Sequence, residues 1–146
     1  MTDLLLTIVH HLLAFTLAGV IAVEAVLVRP GLGRRGLALL GRVDAAYGAL
    51  AGLLVLIGAA RVYFGLKGWE FFIYNPTFWA KMAAFTAVGL LSIAPTIRIA
   101  RWRAAGGGEA YIVPDAEIAH VRRFITAEVA VFALIPIFAA TMARGY

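Results

Sequence analysis

The side chains that could perform chemistry in this sequence lie inside long apolar segments. The first segment, residues 4–28, carries two adjacent histidines, His10 and His11, and a carboxylate, Glu24. His10 and Glu24 are 14 residues apart, close to four helical turns, so a helix would place both on one face. Imidazoles bind metal ions and haem iron, and membrane carboxylates relay protons or pair with cations.

Four segments have the length and composition to position these side chains across a membrane. Hydrophobic residues make up 63% of the 146 and charged residues 14%, so a soluble domain would lack the polar surface to cover itself. A helix over residues 4–28 is about 37 Å long, more than the hydrocarbon core of about 30 Å. The sequence predicts an all-α fold, an integral membrane four-helix transmembrane bundle in a single domain, with spans at about 4–28, 43–64, 77–97 and 124–143.

Lysine and arginine in the connections predict the orientation. The first connection has four of them, the third has five between Arg98 and Arg123, and the middle one has only Lys67. Positive charge is retained on the cytoplasmic side. We therefore expect a protein of the cytoplasmic membrane with both termini outside the cytoplasm. The net charge of +5 lies in these loops, which predicts contact with the lipid bilayer and not with nucleic acid.

This orientation divides the polar side chains of the spans into two layers. The outer layer holds His10, His11, Arg61 and Lys81, and the inner layer holds Glu24, Asp44 and Glu128. Stripes at helical spacing predict that Lys81 and Glu128 face the interior of the bundle.

The outer layer has the residue types that a haem requires. A neutral imidazole such as that of His10 is a common axial ligand for haem iron. The two propionates of a haem placed edge-outward need cations near the interface, and Arg61 and Lys81 stand at that depth. We therefore predict a haem cofactor, with His10, Arg61 and Lys81 as its binding residues.

Composition limits the other metal chemistry. The absence of cysteine excludes disulfides, cysteine-zinc sites, iron–sulfur clusters and covalently attached haem. Histidine, methionine and carboxylate side chains are left as possible ligands. Among them His10 and His11 are the predicted metal ligands, and which of the two binds iron stays open here. Because they diverge around the helix, they cannot hold one iron between them. A second ligand would be water, Met82, Met142 or a group from another subunit.

Each of these polar residues also has a structural interpretation. Arg61 and Lys81 lie near helix ends and could extend to the lipid headgroups. A membrane histidine can be simply an interhelical hydrogen-bonding group. Glu24 and Glu128 could lock helices together through buried ion pairs with Arg29, Arg42 or Arg123.

Short motifs resemble known families at two distances. Over nearly the whole chain, the sequence is similar to a bacterial family of predicted membrane proteins of unknown function, through VHHLLAF, RPGL, DAAYG, RVYFGLKG, NPTFWAKMA, GLLSIAPT and ALIP. More distantly, the chain resembles the superfamily of HemJ-type protoporphyrinogen oxidases and the CopD copper-resistance membrane domain, through His10, Gly19, Arg29, Trp79-Ala80-Lys81, Arg123 and Glu128.

The HemJ resemblance implies four helices, a b-type haem on the histidine of the first helix, and a functional lysine in the third. Carried onto this sequence, it points to His10 as haem ligand and to Lys81 and Glu128 as catalytic residues. The fourth segment departs from the HemJ pattern, since Ala127 and Ala130 stand where asparagine and proline are usual.

Three functions from different classes remain open. The first is a haem b-binding membrane redox protein that exchanges electrons with quinone. The second is a non-catalytic accessory or structural subunit of a larger membrane complex, which the small residues of the second segment would suit. The third is a small transporter that uses Glu24 and Glu128 as a homo-oligomer. The expected partners are accordingly quinone, another membrane protein, or further copies of this chain.

Overall fold

The computed structural model describes residues 1–66, 68–106 and 111–144, and these residues are helical throughout most of their length. Lys67, the cation counted in the middle connection, lies outside these ranges. The helices are α1 (Thr2–Leu27), α2 (Arg34–Phe64), α3 (Gly68–Ile73), α4 (Pro76–Ala105), α5 (Asp115–Phe132) and α6 (Leu134–Ala143). Four helical stretches are long and apolar enough to cross a membrane, the fourth being α5 and α6 together. The predicted all-α membrane bundle is confirmed.

Turn chemistry explains where the helices begin and reverse. After α1 the chain turns at Gly31, whose φ of 77° suits a residue without a Cβ. α4 begins at Pro76, and the Asn75 side chain accepts hydrogen bonds from the N–H groups of Thr77, at 2.9 Å, and Phe78, at 3.3 Å. This cap fixes the register of α4 and therefore the face on which its side chains lie.

Three helices extend beyond the predicted spans at the arginine-rich end of the bundle. α2 begins at Arg34, α4 continues to Ala105 and α5 begins at Asp115. Their extensions bury an apolar cluster of Val28, Leu32, Leu37, Leu40, Ile99, Trp102, Val113, Ile118, Val121 and Ile125. The Trp102 indole N–H donates to the Glu117 carboxylate, which also pairs with Arg98 at 3.7 Å. We call these ten residues the arginine-end cluster.

The fourth span is broken at Ala133, between α5 and α6. Pro136 has no N–H to donate to the carbonyl of Phe132, four residues earlier, so the hydrogen-bond ladder is interrupted there. α1 packs mainly on α2, and α4 packs mainly on α5 and α6. Leu17, Leu54 and other apolar residues fill the middle of the bundle and separate the histidine end from the glutamate layer.

Candidate functional site

A cavity of about 340 Å³ lies at the histidine end, with walls from all four spans and from α3. His10 on α1, Arg61 on α2 and Lys81 on α4 all line it. The structure thus brings together the three residues predicted to bind a cofactor. The remaining walls are Ala14, Leu54, Val55, Gly58, Ala59, Val62, Tyr63, Phe72, Phe78, Met82, Phe85, Phe132, Ile135 and Met142. We call this space the His10 cavity.

Two buried polar atoms of residues that line the His10 cavity have no hydrogen-bond partner among the described residues. The Nδ1 atom of His10 and the Nε atom of Arg61 are buried and form no hydrogen bond in the part of the chain that the structure describes. Buried polar atoms in proteins are normally satisfied by the chain, by water or by a ligand. The His10 ring packs against Gly58, where a Cβ would stand 3.4 Å from Cε1. Both residues line the cavity, so its wall carries two side chains whose polar groups are incompletely satisfied by the described chain.

The electrostatics of the His10 cavity favour an anion. Lys81 is half-buried, and its Nζ lies 5.4 Å from the centroid of the Phe78 ring. Arg61 and Lys81 are near enough to act on each other and on His10. Within residues 1–66, 68–106 and 111–144, the ion pair of Arg98 with Glu117 is the single one formed, so neither cavity cation is neutralised. Two unpaired cations in an apolar cavity call for a negatively charged occupant.

His11 lies apart from the cavity. Its side chain is exposed, and its Nδ1 donates to the carbonyl oxygen of Thr7 at 2.7 Å. The His10 and His11 rings are 6.2 Å apart and nearly perpendicular. In the described ranges no three or more histidines, cysteines or acids are arranged to hold a metal ion. Of the two histidines predicted as metal ligands, the structure directs only His10 into the cavity.

The cavity has an open edge along α2. Val55, Ala59 and Tyr63 line it and are exposed, and all three belong to that helix. α2 is a candidate membrane span, so in a bilayer these three exposed side chains would face lipid. An apolar molecule dissolved in the bilayer could therefore reach His10 without crossing water.

Two methionines that line the His10 cavity have thioether sulfur atoms that could bind iron. Met82 on α4 and Met142 on α6 both line the His10 cavity. Each was a predicted candidate for a second iron ligand, because a thioether can occupy the axial position opposite a histidine. α3 contributes Phe72, a residue that the sequence did not single out, although the aromatic stretch around it was a signal for packing at a membrane interface.

The predicted catalytic pair, Lys81 and Glu128, is divided between two layers. Glu128 is 3% exposed and does not line the His10 cavity, whereas Phe132, one turn further along, does. Glu128 instead lies within hydrogen-bonding reach of the Tyr47 hydroxyl. Tyr47 was not singled out from the sequence, although it lies three residues after Asp44 and so shares a helical face with it. Any chemistry at the cavity would rest on Lys81 and not on Glu128.

The inner layer contains acids without cations. Glu24 is 4% exposed, and the groups that act on it electrostatically are Asp44 and Glu128. Asp44 accepts a hydrogen bond from Thr96 at 2.6 Å. The ion pairs of Glu24 and Glu128 with Arg29, Arg42 or Arg123 that the sequence allowed are not formed in the described residues. No ion pair among the described residues therefore supports the interpretation that Glu24 and Glu128 lock helices together.

The comparisons with known proteins agree with the nearer of the two resemblances. Neither the curated proteins nor the solved structures gave a significant match. These comparisons supply nothing on the HemJ-type or CopD resemblance, which stays a prediction. A family profile described as "Predicted membrane protein (DUF2214)" matches residues 2–146. Since the match covers nearly the whole chain, the protein belongs to this family of membrane proteins.

Proposed function

We propose that this protein binds b-type haem in the His10 cavity and acts as a membrane redox protein. The observation that carries the proposal is the buried, unpartnered Nδ1 of His10 beside two unneutralised cations in an apolar cavity. A haem matches this chemistry, because it is a largely apolar macrocycle with an iron that takes imidazole and two anionic propionates.

Each part of the cavity has a role in this proposal. His10 supplies the axial imidazole, and Arg61 and Lys81 neutralise the propionates. The rings of Phe78, Phe85 and other wall residues exclude water and surround the macrocycle. When bound, the haem supplies one-electron transfer, which the side chains of this chain cannot perform by themselves.

Met82 and Met142 are the candidates for a second axial ligand from the same chain. They belong to different helices, α4 and α6, and both line the cavity. Histidine–methionine ligation raises the reduction potential of a haem relative to ligation by two histidines. His11 is not a candidate, because its side chain is exposed and does not line the cavity.

The open edge of the cavity suits an electron partner from the bilayer. Val55, Ala59 and Tyr63 border the opening on a membrane-spanning part of α2. A quinone is apolar, dissolves in lipid and accepts electrons, so we propose it as the partner of the haem.

A second function, as a subunit of a larger membrane complex, is favoured by one surface. Gly48 and Gly52 on α2 are exposed, and a Cβ at either would meet nothing within 4 Å. Small residues on an exposed membrane face allow another helix to approach closely. Co-purification of a stoichiometric second protein with a chain that binds no haem would favour this function over the first.

The test of the haem proposal is the amount of haem retained per chain by the purified full-length protein, measured as its pyridine complex. We expect His10→Ala to lose the haem and His11→Ala, the matched control one residue away, to retain it. Equal retention in both variants would contradict ligation by His10. Circular dichroism of each variant establishes that the helices are intact.

A further inference from the structure

Glu24 is a buried acid with no partner. Its side chain is 4% exposed and forms no hydrogen bond or ion pair with any residue that the structure describes. The charged groups that act on it, Asp44 and Glu128, are themselves acids. It belongs to the inner layer and lies on α1, three residues before the end of a candidate membrane span.

The neighbouring helices direct hydroxyl groups to the other two acids and none to Glu24. On α2, Asp44 accepts from Thr96 of α4 at 2.6 Å. On α5, Glu128 lies within reach of the Tyr47 hydroxyl, which also lies near Ser92 of α4. The titratable groups facing Glu24 are therefore Asp44 and Tyr47 from α2 and Glu128 from α5, with no arginine or lysine among them.

An ionised carboxylate in this position would be costly. The Glu24 side chain is almost fully buried, and the charged groups beside it are two other acids. A buried charge without a cation beside it is disfavoured. A metal cation does not resolve this, since no three or more acids or histidines in the described ranges are arranged to hold one. A proton is the remaining ligand.

We propose that Glu24 is a proton-binding site, carrying a proton in the resting protein and exchanging it with water at the arginine-rich end through Asp44. In each exchange the O–H bond of Glu24 breaks, the proton passes by way of the Asp44 carboxylate to water, and no electron is transferred. Asp44 is half-buried and Thr96 is exposed, so this pair connects the buried layer to the surface.

This site is independent of the proposed haem. Glu24 lies four helical turns from His10, and the buried Leu17 and Leu54 separate the two layers. A protein that binds no haem would still carry the proton site, and loss of the proton site would leave the haem ligand in place.

The test is infrared spectroscopy of the full-length protein in lipid nanodiscs at neutral pH. Protonated carboxylic acids have a carbonyl-stretch band that ionised carboxylates lack. We expect the wild type to show this band and Glu24→Gln to lose one carboxylic acid from it. Glu70→Gln, which alters an exposed acid of α3, is the control and should leave the band unchanged. Glutamine keeps the size of glutamate without its charge, and circular dichroism establishes that each variant is folded.

Exchange into deuterated water tests the route. The band of the wild type should shift as the proton is replaced, and Asp44→Asn should slow that shift several-fold. A wild type without the band, or a Glu24→Gln variant that keeps it in full, would overturn the site. An unchanged exchange rate in Asp44→Asn would overturn the route through Asp44.

Discussion

At the scale of single residues, the proposed haem site depends on the surroundings of His10. A histidine in a membrane helix has several uses, and the sequence alone could not choose between His10 and His11. The structure separates them, because the His11 Nδ1 is bonded to Thr7 while the His10 Nδ1 is buried and unbonded. That difference comes from the contacts of α1 with its neighbours, and spacing along one chain does not contain it.

The contact between Gly58 and the His10 ring gives a specific prediction. The His10 ring lies against this glycine, so Gly58→Leu would push the imidazole aside and fill the cavity. Forcing a large side chain into such a contact costs about 1–3 kcal/mol, which corresponds to haem affinity lower by roughly 5- to 150-fold. Haem titration followed by absorbance measures it. Gly52→Leu, two turns away where a Cβ meets nothing within 4 Å, is the control and should bind haem normally.

The role of Lys81 is separable from that of the iron ligand. Because a charge-assisted hydrogen bond contributes about 1.5–3 kcal/mol, Lys81→Ala should weaken haem binding about tenfold or more while leaving the spectrum of the bound haem nearly unchanged. Lys81→Arg should restore most of the affinity. Arg101→Ala removes an exposed cation at the other end of the bundle and should have no effect. Wild-type affinity in Lys81→Ala would contradict its contact with a propionate.

At the scale of the elements, the apolar segments predicted the four spans but not how far the helices continue. α2 and α4 extend past the hydrophobic windows because their arginines, such as Arg101, lie on exposed faces while Leu37, Ile99 and their neighbours are buried. A hydropathy window averages both faces, so it ends the helix too early. The break at Ala133 follows from Pro136, which removes one backbone donor from the fourth span.

The arginine-end cluster should be a main source of stability for the bundle. Trp102 is 3% exposed and its indole donates to Glu117, so Trp102→Ala leaves a large void and removes this hydrogen bond. Thermal or denaturant unfolding in detergent should show a loss of about 3–5 kcal/mol. Trp69, which is 51% exposed, gives the matched control, and Trp69→Ala should cost much less. Equal losses would mean that the cluster does not hold the helices together.

At the scale of the whole molecule, the bundle has two polar layers with different chemistry. The end that carries the His10 cavity holds unpaired cations, and the inner layer holds unpaired acids, with Leu17 and Leu54 between them. The sequence predicted both layers because depth along a helix follows directly from residue number. It also placed Lys81 and Glu128 in different layers, and of the two only Lys81 lines the His10 cavity. The sequence could not show which side chains surround that cavity, because this depends on contacts between helices.

Haem binding in the His10 cavity is tested most directly by an absorption spectrum of the purified wild-type protein, oxidised and then reduced with dithionite. The protein is produced with ample haem and kept in mild detergent. We expect a Soret band and, on reduction, sharp α and β bands at a stoichiometry of one haem per chain. A folded, colourless protein that gains no such bands when haem is added would contradict it.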